Sequence, residues 1–291
     1  MGRPARAEVH GRTTPDASNH TPNNKPNDRK DRPMMLDGKT VVVSGVGPGL
    51  GREIAAAAVR EGANVAIGAR TQANLEKAAA EIDPSGAKVA WEVTDITDAA
   101  QCARLAATAT DRFGRIDALV NCAALDAVFG GLEEADWGSW RQAIEINLFG
   151  TMHMTQAVIP AMKEHGGSVV FIGSQAMFWS QLPQAAYGAS KAAILGAVTH
   201  LARELGPYRI RVNTVVPSWM WGPPVEMYVD MTSKAQSVEP ESIINGITEQ
   251  MPLGEIPSDG DVAEVVVFFA SDRARMVTGQ SLLVNAGEYI R

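Results

Sequence analysis

The sequence predicts an α/β fold: one doubly wound domain, a seven-stranded parallel sheet with helices on both faces. Three observations predict it. Seven short runs rich in Val and Ile have nearly continuous apolar cores, as strands covered on both sides do. Ala-rich segments with helical spacing separate them, and strand–helix–strand repetition builds parallel sheets through right-handed crossovers. The first run leads straight into a glycine-rich turn that opens the first helical pattern.

In chain order the strand candidates are KTVVVSG (39–45), NVAIGAR (64–70), KVAWEV (88–93), IDALVNC (116–122), GSVVFIG (167–173), IRVNTVV (210–216) and QSLLVNA (280–286). Helical patterns between them include REIAAAAVREG (52–62), AAQCARLAATATDRFG (99–114), a long segment from Asp136 to Glu164, and QAAYGASKAAILGAVTHLARELG (184–206). Residues 218 to about 252 have the least regular pattern and read as a substrate-side lid, because long irregular loops in compact domains are commonly functional. Residues 1–33 read as a disordered tail, with seven Lys or Arg against four Asp or Glu and too little apolar area to offset ordering. The folded domain then spans 34–291.

Composition excludes several classes. The 291 residues are 45% hydrophobic and 20% charged, with a formal charge of −7 and a pI near 5.3, so no nucleic-acid footprint is expected. Cys102 and Cys122 give no disulfide framework and suit a reducing compartment. No apolar run approaches the roughly 18 residues of a membrane span, and the amino terminus lacks the basic-then-apolar order of a secretory signal. A cytoplasmic protein without a membrane partner is expected. His10, His20, His153, His165 and His200 have no metal-ligand spacing, so no metal site is expected.

The turn SGVGPGLGRE (44–53) places Gly45, Gly49 and Gly51 where a tight bend and close backbone approach would set a pyrophosphate on a helix N-terminus. Its Gly-x-x-x-Gly-x-Gly spacing resembles that of the short-chain dehydrogenase/reductase family, and the resemblance runs from about Leu36 to the last strand. ThrAspIle (94–96), AsnCysAlaAla (121–124) and Asn147 in EINLFG follow in the family's order, with Ala124 where the family usually has Gly. The resemblance implies a Rossmann-fold domain. Its dinucleotide would be held by Gly45, Gly49, Leu50, Gly51, Arg70, Thr71, Asp95, Ile96, Asn121, Ala123, Tyr187, Lys191 and Pro217, with Asp95 at the adenine. The second strand ends in Ala69, Arg70 and Thr71, without the carboxylate that would repel a 2′-phosphate. A guanidinium binds phosphate by paired, charge-assisted hydrogen bonds, which favours NADP with NAD as the alternative. Pro48 stands where many NADP-dependent relatives carry a second basic residue.

SQAMFWSQLPQAAYGASK (174–191) carries Ser174, Tyr187 and Lys191. Tyr187 and Lys191 are i and i+4 on one helix face. A nearby ammonium favours the phenolate, so Lys191 is expected to lower the phenol pKa from about 10 toward a value useful for proton exchange. Ser174, at the end of the fifth strand, can donate to the same substrate oxygen. The resemblance assigns Asn147, Ser174, Tyr187 and Lys191 as the catalytic set, with Lys191 also on the nicotinamide ribose and Asn147 holding a water that links Lys191 to solvent.

After the sixth strand Pro217 matches the family, Ser218 replaces its glycine, and the usual threonine is missing. Trp219, Met220, Trp221, Met227, Tyr228 and Met231, with Met177, Phe178 and Trp179, suggest a bulky apolar alcohol or ketone or, alternatively, internal packing or a subunit contact. The expected activity is NAD(P)-dependent interconversion of a secondary alcohol and a ketone. The alternative is a catalytically impaired, dinucleotide-binding homologue with a sensing or structural role. No Gly-x-Ser-x-Gly elbow supports a serine hydrolase. By resemblance, the last strand and two long central helices would assemble a homotetramer.

Overall fold

The computed structural model describes residues 33–291. The tail expected over 1–33 therefore lies, save for Pro33, outside the described residues, as do His10 and His20. The strands are β1 (Thr40–Ser44), β2 (Asn64–Ala69), β3 (Val89–Val93), β4 (Ala118–Asn121), β5 (Gly167–Ile172), β6 (Ile210–Pro217) and β7 (Ser281–Val284). All pair in parallel in the order β3-β2-β1-β4-β5-β6-β7. The chain order reverses between β1 and β4, and a crevice opens there beyond the carboxyl ends of the strands.

The helices are α1 (Leu50–Arg60), α2 (Gln72–Ile82), α3 (Ala99–Phe113), α4 (Trp137–Ile144), α5 (Thr151–Met162), α6 (Ala185–Leu205), α7 (Pro223–Gln236), α8 (Pro240–Thr248) and α9 (Asp259–Ala270). Side chains alternate across the sheet, as a strand period of two requires. Val41 and Val43 of β1 join Ile54 of α1, Leu75 of α2 and Val266 of α9 in one core. Val42 joins Leu105 of α3, Val158 of α5 and Ile194 of α6 in the other. Both faces are covered, which is why the strands read as unbroken apolar runs.

Local signals start and stop the helices. Asp98 accepts from the Ala100 and Gln101 amides to begin α3, and Gly114 ends it at φ 81°. Ser258 and Asp261 form a reciprocal capping box on α9. The segment from Asp136 to Glu164 is helical but not uniform: a π-helical turn over Glu145–Gly150 joins α4 to α5. The irregular loop expected over 218–252 is a correction, because this stretch forms α7 and α8. Pro223, Pro224 and Pro240 stand at the first helical positions, where a missing N–H costs nothing.

Candidate active site

The glycine turn between β1 and α1 has no room for side chains. A methyl group on Gly45 would overlap the main-chain nitrogen of Ala123, and one on Gly51 would overlap the Gly45 carbonyl. Gly45 (φ 91°) and Gly49 (φ 121°) also occupy backbone regions that L side chains rarely adopt. Gly49 caps α1 with no side-chain bond to its first amides, leaving a polarised helix end facing the crevice. This cradle fits a dinucleotide pyrophosphate.

One cleft of about 1120 Å³ runs from this turn past the carboxyl ends of β2 and β4–β6. Gly45, Gly49, Leu50, Gly51, Arg70, Thr71, Asp95, Ile96, Ala123, Ser174, Tyr187, Lys191 and Pro217 all line it. Arg70 is exposed at the end of β2, and Thr71 precedes α2 without spending its hydroxyl on a cap bond. Asp95 Oδ1 accepts from the Thr97 amide and hydroxyl, at 3.0 and 2.8 Å. Two of the expected residues lie outside this lining. Asn121 is buried beneath it with Nδ2 donating to Thr155 Oγ1 at 3.0 Å, while its neighbours Cys122 and Ala123 face the cleft. Asn147 is fully buried in the π-helical turn.

The Asn147 amide is committed to protein partners. Its Oδ1 accepts from the Leu125 amide at 2.7 Å, and Nδ2 donates to the Leu125 carbonyl and to Ser190 Oγ, both at 2.9 Å. Ser190 in turn donates to the Tyr187 carbonyl at 2.7 Å. The side chain thus ties the loop after β4 to the turn of α6 that carries Tyr187. Spacing alone could not reveal this, because the Leu125 contact comes from a distant loop.

Ser174, Tyr187 and Lys191 do converge. Lys191 is buried, its Nζ 5.8 Å from the Tyr187 ring centroid and donating to the Ile172 carbonyl at 2.8 Å. Ser174 lies near enough to the Tyr187 hydroxyl to lower its pKa. Lys191 by itself does not bring the expected acidification of Tyr187. Desolvation pushes the phenol up to about 12, against the lowering by Ser174 and with Asp126 and Cys122 adding to the rise. Desolvation likewise brings Lys191 down to about 8. Burial penalises both charged forms, and the ammonium that was to favour the phenolate is itself destabilised.

Two cleft residues stand outside the set expected to form the site. Ser218 Oγ is buried with no hydrogen-bond partner among the described residues. Asp259 lies so near the glycine turn that a methyl group on Gly49 would stand 3.5 Å from its Oδ2. Desolvation, then the nearby Glu53, raises its carboxyl above the ordinary value. A charge there opposes an anion at the α1 terminus. Asp259→Asn is expected to tighten dinucleotide binding about two- to fivefold at pH 8. The gain shrinks as pH falls through the raised pKa and the wild-type carboxyl also becomes neutral; fluorescence titrations at pH 8 and pH 5 check it.

No described helix is long and apolar enough to cross a membrane. Among the described residues no cluster of three or more His, Cys, Asp or Glu could hold a metal.

A family profile described as enoyl-(acyl carrier protein) reductase matches residues 45–288. The 3-oxoacyl-[acyl-carrier-protein] reductase of Thermotoga maritima is 33% identical over 257 residues, covering 87% of this chain and 99% of that protein. Trans-4-hydroxycyclohexanecarboxylate dehydrogenase of Sinomonas cyclohexanicum is 34% identical over 256 residues, covering 86% and 92%. A crystal structure from Brucella melitensis, described as a short-chain dehydrogenase/reductase of glucose/ribitol dehydrogenase type, superposes with a TM-score of 0.79 at 30% identity, covering 89% of this chain and 99% of that one. With its glycine cradle at the strand switch point and its converging Ser, Tyr and Lys, this chain belongs to the short-chain dehydrogenase/reductase family, oxidoreductases that generally use NAD or NADP.

Proposed function

We propose that the protein interconverts a secondary alcohol and a ketone on a bulky, largely apolar substrate, with NADP as coenzyme. The observation that carries this reading is the convergence of Ser174, Tyr187 and Lys191 in the cleft that also holds the glycine turn. The coenzyme supplies or accepts the hydride. In reduction, Tyr187 gives its proton to the carbonyl oxygen while Ser174 donates a hydrogen bond to it, and the Lys191 ammonium faces the phenolate left behind. A phenol kept protonated by burial is already in the form reduction requires. In oxidation the proton returns to Tyr187. Asn147 acts as a positioning residue through Ser190. Gly45, Gly49, Leu50 and Gly51 would hold the pyrophosphate, Asp95 and Ile96 the adenine side, and Ala123 and Pro217 the far side. Ser218, beside Pro217 in the cleft lining, would border the nicotinamide end.

The substrate class rests on α7, whose Met227 and Met231 line the cleft at i and i+4 yet remain exposed, with Trp219 against Tyr228 at 5.0 Å beside them. Adaptable thioethers there suit a large apolar group, and α7–α8 would act as the lid. The hydroxy and oxo substrates in the relatives' names support the alcohol–ketone pair. The exposed Trp137, Phe149 and Leu282 favour a homotetramer, and a cytoplasmic setting completes the reading.

A fluorescence titration with NADPH and NADH, followed by a panel of steroid, terpenoid, acyl-thioester, enoyl and small polar substrates, tests it. Ketone-dependent NADPH consumption is expected; binding of coenzyme without turnover of any carbonyl would instead leave a dinucleotide-sensing protein. Arg70→Ala is expected to weaken NADPH at least tenfold and NADH by less than about twofold, since only the former loses a charge-assisted pair. Equal losses would remove the basis for NADP.

A further inference from the structure

Residues 285–288 turn back over the cleft just beyond β7. Asn285 is buried, and its Nδ2 donates to Gln175 Oε1 at 2.7 Å and to the Tyr289 carbonyl at 2.9 Å. Gln175 directly follows Ser174. Phe178 stacks on Tyr289 at 5.7 Å, and the Arg291 guanidinium sits 4.5 Å above Phe178. Ala286, packed against Ile247 and Met251, takes a left-handed φ of 51° that alanine adopts only when its surroundings enforce it. The turn is thus fastened to the segment after the catalytic serine and to α8.

What this fastening places at the cleft is a carboxylate. Glu288 lines it beside Gln181 and Leu182. Its Oε1 accepts a long bond of 3.4 Å from Gln181 Nε2. Its Oε2 is shielded from solvent and has no donor among the described residues. Oε2 as it stands is out of reach of a group in the cleft, so Oε1, held by one long bond alone, is the oxygen left to meet a donor there.

Resting on the alcohol–ketone reading, we propose that Glu288 is a specificity-determining anchor for a second polar group on the substrate. That group is a hydrogen-bond donor, a hydroxyl or an ammonium, remote from the reacting carbon. The carboxylate rejects substrates bearing a carboxylate or phosphate at the same end, so the site selects hydroxylated or amino ketones over anionic ones.

The test compares matched ketones on the NADPH-bound enzyme: a plain apolar ketone and analogues with a remote hydroxyl, ammonium or carboxylate. In Glu288→Ala, the kcat/KM ratio of the hydroxylated or the ammonium ketone over the plain one is expected to fall at least tenfold. Glu288→Gln distinguishes the two donors, because the amide still accepts from a hydroxyl and loses only the ammonium preference. The ratio for the carboxylate ketone rises in both variants. Ratios unchanged within twofold in both variants would overturn the anchor. Should no ketone turn over, the alcohol–ketone reading fails separately. The anchor is then read from the thermal shift that each ketone gives the NADPH-bound protein, with the same ratios deciding.

Discussion

Tyr187→Phe is expected to lower the rate of ketone reduction by a factor of about 10³ or more, while the Kd for NADPH moves less than about threefold. The substitution removes one oxygen from a half-buried ring and leaves the glycine turn, Arg70 and the buried core untouched. The pH profile gives the same residue a second readout. With the phenol pushed up to about 12, Tyr187 is an acid throughout the neutral range, so reduction should be flat with pH until Lys191, at about 8, loses its proton. Oxidation needs the phenolate, and its rate should rise with pH toward the value that bound coenzyme sets. Steady-state rates in both directions from pH 5 to 10 check this. A Phe variant with more than a tenth of wild-type activity would remove Tyr187 from the proton path.

Lys191→Met is expected to abolish turnover to a similar degree and yet to stabilise the protein at pH 6–7. The lysine pKa falls from 10.5 to about 8 on folding because burial disfavours the ammonium. Above about pH 10.5 the group is neutral whether folded or unfolded and carries no penalty. Between about pH 10.5 and 8 the unfolded chain takes up the proton and the folded chain does not, so stability falls as pH drops through that window and levels off below 8. The fall from 10.5 to about 8 corresponds to about 3 kcal/mol. Losing the bond to the Ile172 carbonyl offsets about 1–2 kcal/mol of that. Methionine fills similar volume without a charge. The variant should melt roughly 2–6 °C higher at pH 6, with the gap closing or reversing by pH 10. Melting curves across that range decide it; a variant less stable than wild type at pH 6 contradicts a burial-dominated lysine.

These two residues also mark how far sequence reasoning reached. Their i, i+4 spacing put both on one face of α6, and Ser174 at the end of β5 followed from the strand pattern, so their meeting was legible. The direction of the Tyr187 shift was not. Proximity argues for a stabilised phenolate, whereas desolvation depends on how much chain packs over the hydroxyl, and that packing comes from β5, the loop after β4 and Cys122. Likewise EINLFG marked Asn147 but not its clasp on Leu125, which joins residues 22 apart through the π-helical turn.

By itself, the sequence determined the seven parallel strands, the glycine cradle and the converging Ser, Tyr and Lys. Each rests on short-range rules: apolar runs covered on both faces, glycine where a side chain would meet backbone, and side chains one helical turn apart. Only the tertiary structure decided that 218–252 is helical, that Asn121 and Asn147 lie outside the cleft lining, that Asp259 reaches the α1 terminus, and that Glu288 lines the cleft. The last three depend on contacts between segments distant in the chain, where burial and unmatched hydrogen-bonding groups, rather than local pattern, set the energies.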